Sequence, residues 1–185
     1  LAIADPARAV DFVMELGKAG DPRSKQMMSI VAEKMIHSGG TAAAAGWASG
    51  LPEGDLRGHA LYDVARAMVR TDPAAAAKWA AGQTGDKNGR AIVYGISSEW
   101  AARDGAAAVK WLDSLNANQS AGYGPAMASW ARADPLAASQ RISDMPPSDS
   151  RNHAIGGLVS SYRWEDPAAA IAWANQITDA KSRQD

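Results

Sequence analysis

The stretch TDPAAAAKWAAG, residues 71–82, decides the reading of this chain. Near copies of it stand at 131–139 (ARADPLAAS) and 164–173 (WEDPAAAIAW). With the Asp of each copy as an anchor, Asp72-Pro73 leads to Trp79 seven residues later, Asp104-Gly105 to Trp111 and Asp166-Pro167 to Trp173. At the same offset Asp5-Pro6 leads to Phe12, Gly40-Thr41 to Trp47 and Asp134-Pro135 to Arg141. The anchors fall at 5, 40, 72, 104, 134 and 166, a period of 30–35 residues. A fixed period of that length is the mark of stacked helical hairpins.

Each element of the unit has a physical task. Asp caps a helix because its carboxylate accepts from backbone N–H groups that have no intrahelical partner. Pro suits the first helical position, where a missing N–H costs nothing. Alanines at anchor+3 and +4 form helix cheaply and let a neighbour approach closely. Offsets +4, +7, +8 and +11 form one apolar face, as in Ala108, Trp111, Leu112 and Leu115. A loop rich in Pro, Gly, Asn and Asp follows, often closed by an arginine: Arg23, Arg57, Arg90, Arg151 and Arg183. A second helix then runs to the next anchor, with a large apolar residue four positions before it: Leu1, Ile36, Met68, Trp100, Trp130 and Tyr162.

Composition agrees with an all-helical chain. The 185 residues include 41 alanines, seven Trp and one Phe, with no alternating strand pattern. A net charge of −1, from 19 basic and 20 acidic residues, gives no footprint for nucleic acid. There are no cysteines, so disulfides and thiolate metal sites are excluded. No apolar run reaches membrane-spanning length. The expected fold is therefore an all-α solenoid of about six helical hairpins, a right-handed α-α superhelix of about eleven helices. It is expected to form a single domain over 1–185. Both ends cut through a repeat, which suggests a fragment of a longer array whose capping units lie elsewhere.

The stretch ALYDVARAMVRTDPAAAAKW, residues 60–79, resembles a tetratricopeptide repeat, which also places a small residue in its second helix and closes with Asp-Pro. The period is shorter and the family's Trp-x-x-Leu-Gly-x-x-Tyr pattern is absent, so the likeness is to the wider tetratricopeptide-like and HEAT-like class of helical hairpins. The units are also similar to bacterial proteins carrying Trp-x-x-x-Asp-Pro-x-x-Ala repeats. That resemblance implies a scaffold with a concave face for peptides or partner domains, and no reaction.

Candidate sites lie where the copies differ. The recurring Trp residues read as the repeat core. Trp164 does not recur: it stands two residues before its anchor, where other units have Arg70, Ala102 and Arg132, and it reads either as packing against the neighbouring loop or further repeats, or as an exposed anchor for a partner. Lys78 and Lys110 share offset +6 in consecutive units and should stack side by side, either as ordinary solvated charge or, if the first helices line the concave face, placed to hold a carboxylate or an acidic peptide. His59 and His153 occur in matched contexts, RGHAL and RNHAI, but are three units apart, too far to share a metal. The recurring arginines are expected to bond loop carbonyls or a neighbouring Asp. Nucleophile, phosphate-loop and zinc motifs are absent. The expected function is thus a non-catalytic protein- or peptide-binding module of a larger bacterial protein, without cofactor, metal or nucleic-acid partner. A structural spacer, or an enzyme with a site in the groove, are the alternatives. The sequence favours neither cell envelope nor cytoplasm.

Overall fold

A computed structural model describes residues 6–83, 89–115 and 117–178. Helices α1 (Pro6–Lys18), α2 (Arg23–Gly50), α3 (Asp55–Thr71), α4 (Pro73–Gly82) and α5 (Gly89–Ala101) are followed by α6 (Gly105–Asp113) and a 3-10 turn (Ala117–Gly122). Then come α7 (Tyr123–Ala133), α8 (Pro135–Asp144), α9 (Asp149–Tyr162) and α10 (Pro167–Ala174). The described residues contain no strand. The expected all-α class is what the chain adopts. Leu1, Asp5 and Arg183 lie outside the described residues.

The anchors work as their chemistry predicts. Asp72, Asp104, Asp134 and Asp166 each accept from the backbone N–H three residues on, at 2.9, 2.9, 3.0 and 2.9 Å. Three of these helices carry Pro in the first turn. The Gly40 anchor solves the same joint differently. It sits inside α2 with φ +75°, a conformation open to glycine, and bends the chain between the two halves of that helix. Asp104 is followed by Gly105 because the Trp130 ring lies against it, where any Cβ would collide.

The chain divides into two compact units, Leu1–Gly95 and Ile96–Asp185. In the first, α1 packs on α2, α2 on α3 and α3 on α4. In the second, α7 packs on α6, α8 and α9, and α9 packs on α10. The buried face of the first helix of each hairpin centres on offsets +4 and +8. Ala44, Ala76, Ala108 and Ala138 are wholly buried, as are Ala48 and Ile142. The second helices bury the residue eight before the next anchor: Ala32, Val64, Ile96, Ala126 and Leu158 are all 0% exposed.

One joint occurs in both units. Gly95 and Gly157 both stand nine residues before an anchor. A Cβ on Gly95 would come 2.6 Å from the Tyr62 carbonyl oxygen, and one on Gly157 would collide with that of Gly124. Tyr62 and Gly124 share the register ten before their anchors. Neighbouring second helices therefore touch backbone to backbone at one repeated position.

Candidate functional site

The register puts the expected binding residues outside the buried faces. Lys78 on α4 and Lys110 on α6 are exposed. They belong to different units, so their side-by-side placement remains a statement about the register. Trp164, between α9 and α10, is 82% exposed, and the Arg163 guanidinium carbon lies 5.3 Å from its ring centroid. Two further apolar residues of the second unit were not singled out from the sequence: Leu136 on α8, 78% exposed, and Ile171 on α10, 64% exposed. They occupy offsets +2 and +5, off the +4/+8 stripe, and that was the available signal.

The Trp set divides. Trp111 is buried and stacks on Trp100, with centroids 6.0 Å apart. Trp47, Trp79, Trp100, Trp130 and Trp173 are half-buried at the edges of the helix faces. Phe12, at the Trp offset of the first hairpin, is exposed. The unit with Arg141 in place of Trp uses it for an ion pair, 2.9 Å to Asp113. Asp113 also accepts from the Tyr123 hydroxyl at 2.6 Å. Burial, and then that hydrogen bond, push the Tyr123 hydroxyl pKa above its ordinary value.

The loop-closing arginines differ among themselves. Arg151 donates to the Ile142 and Gln176 carbonyls, each at 3.3 Å, and to the Gln176 side chain at 2.8 Å. Arg23 forks onto Asp21, with a closest approach of 2.6 Å, and holds that carboxyl down to about 2. Arg90 is exposed. His37 and His153 each place Nδ1 2.8 Å from the carbonyl of the residue four earlier, a local helical contact.

His59 has another setting. It lines a cleft of about 560 Å³ in the first unit, with Asp55, Tyr62 and Asp63 also from α3 and Arg90 and Tyr94 from α5. The α3 residues share one face by their spacing of three to four. Lys25, on the α2 side, lies 3.6 Å from Asp55. The Asp63 Oδ2 is closed off from solvent and receives no hydrogen bond. Asp63 also borders a hollow of about 280 Å³ with Glu33, Ile36 and Arg66. His59 and Asp63 lie one helical turn apart in the sequence, but Tyr94 and Arg90 come from α5 and Lys25 from α2, which no local pattern reveals. Among the described residues, no group of three His, Asp or Glu is placed to hold a metal.

No known protein family, curated protein or solved structure matches the chain. No described helix is long and apolar enough to cross a membrane.

Proposed function

We propose that this chain is a tetratricopeptide-like helical-repeat scaffold, wound as a right-handed superhelix, that binds a protein or peptide within a larger bacterial protein. The observation that carries the reading is Trp164. A side chain with the size to fill a helix joint stands 82% exposed instead, under an arginine. Large exposed aromatics beside arginine are the residue types that dominate binding energy at protein interfaces. Leu136 and Ile171 add exposed apolar surface to the same unit. In this reading Lys78 and Lys110 contribute the complementary charge for an acidic partner segment. A spacer would serve without such residues at outward positions.

The test is capture of partners by the full-length protein, wild type against the triple variant Lys78→Ala, Lys110→Ala, Trp164→Ala. The scaffold reading expects a specific partner with the wild type and its loss with the triple variant, at unchanged helicity and melting temperature. Equal recovery by both removes this surface. Capture of nothing by the wild type favours the spacer.

A further inference from the structure

The turn between α9 and α10 carries a run of six exposed residues, 163–168, with Trp164 near its start. Its backbone is tied down. The Arg163 N–H donates to the Val159 carbonyl at 2.9 Å, and the Glu165 and Asp166 N–H groups donate to the Tyr162 carbonyl at 3.0 and 2.8 Å. An ordered backbone under the exposed ring lowers the entropy lost when the ring enters an interface. The charges beside the ring are of opposite sign. Arg163 precedes it, with the guanidinium carbon 5.3 Å from the ring centroid, and Glu165 follows it. Neither forms an ion pair among the described residues. Asp166, the other carboxylate of the turn, already accepts from the Ala169 N–H at 2.9 Å. The indole thus stands between a cation and an anion that both lack a counter-ion among the described residues.

We infer that Trp164 is the centre of an interface between two copies of this protein related by a two-fold axis. The inference rests on the reading of Trp164 as an interface anchor and names its partner. A two-fold contact puts the same patch on both sides, so it forms where a patch complements itself. The order cation, aromatic, anion does so. With the two turns antiparallel and indole stacked on indole, Arg163 of one copy faces Glu165 of the other, and the reverse pair forms across the axis. The planar guanidinium fits a carboxylate with two parallel hydrogen bonds. A uniformly acidic or basic partner would meet one favourable charge here and one repulsive one. One aromatic pair and two ion pairs make a small interface, so the dimer is reversible, with Kd on the order of 10–100 µM.

The test is sedimentation equilibrium of the full-length protein across that concentration range, with helicity and melting checked for each variant. The wild type should pass from one chain to two and stop there. Trp164→Ala should weaken the association at least tenfold. Arg163→Glu alone sets Glu against Glu165, and Glu165→Arg alone sets Arg against Arg163, so each variant by itself should stay a single chain. Mixed in equal amounts, the two variants restore both ion pairs, and the dimer should return at about the wild-type affinity. A wild type that remains a single chain, growth beyond two copies, unaltered association in Trp164→Ala, or no recovery on mixing overturns the inference. If self-association fails while the full-length protein still captures a different protein through Trp164, the scaffold reading stands and only the second copy is lost. If the wild type captures nothing, the scaffold reading fails on its own test.

Discussion

Asp104 gives one carboxylate oxygen to the Ala107 N–H, and three other anchors repeat that bond with nearly the same backbone angles. Replacing Asp104 with Ala should cost about 1 kcal/mol in urea unfolding, the usual loss for an N-cap. An unchanged midpoint would show that the cap is idle. Trp111 belongs to packing: it is buried against Trp100. Trp111→Ala should cost about 3–5 kcal/mol, as for large buried aromatics. A loss below about 1 kcal/mol would place the core elsewhere. Tyr123 gives a prediction in pH. Its raised pKa means that the fold favours the neutral hydroxyl. The resulting stability is fully present below pH 10.0, the ordinary tyrosine value, and is lost as pH rises from there toward Tyr123's own higher value. Denaturant midpoints on either side of that pH should fall less steeply for Tyr123→Phe than for the wild type.

The helices show what a sequence can and cannot disclose. The caps and the buried alanines at +4 follow from local chemistry, and local chemistry is written in short spacings; the Arg151 bonds to Gln176, 25 residues on, are not so written. Glycine contacts between second helices are different. Gly95 and Gly157 look like unremarkable helix-interior glycines until the facing carbonyl is known, and that carbonyl lies about one repeat away in sequence. The same limit hid the cleft: His59 and Asp63 lie one turn apart, but Tyr94 comes from a separate helix. Two adjacent residues on α9 test the joint. A Cβ on Gly156 meets nothing within 4 Å, whereas one on Gly157 collides with Gly124 backbone. Gly156→Ala should stabilise by up to about 1 kcal/mol through helix propensity. Gly157→Ala should destabilise by about 1–3 kcal/mol, the range for overpacking. Similar effects in thermal unfolding would contradict the backbone-to-backbone joint.

At the scale of the molecule, the repeat explains why so much sequence is spent on one pattern. Asp caps the first helix of four hairpins in the same way, and the scaffold proposal puts recognition on residues off the buried +4/+8 stripe: Lys78, Lys110 and Trp164. Their meaning as one surface depends on successive hairpins stacking in register, which is the central claim of the solenoid proposal. The absence of cysteine allows spin labels to be introduced at chosen positions without competing thiols. A pulsed electron-resonance distance between labels on Lys78→Cys and Lys110→Cys measures the stacking directly. Side-by-side helices with axes about 10 Å apart predict a single narrow distribution below about 20 Å. A distribution centred beyond about 30 Å, several helix widths, would contradict the register.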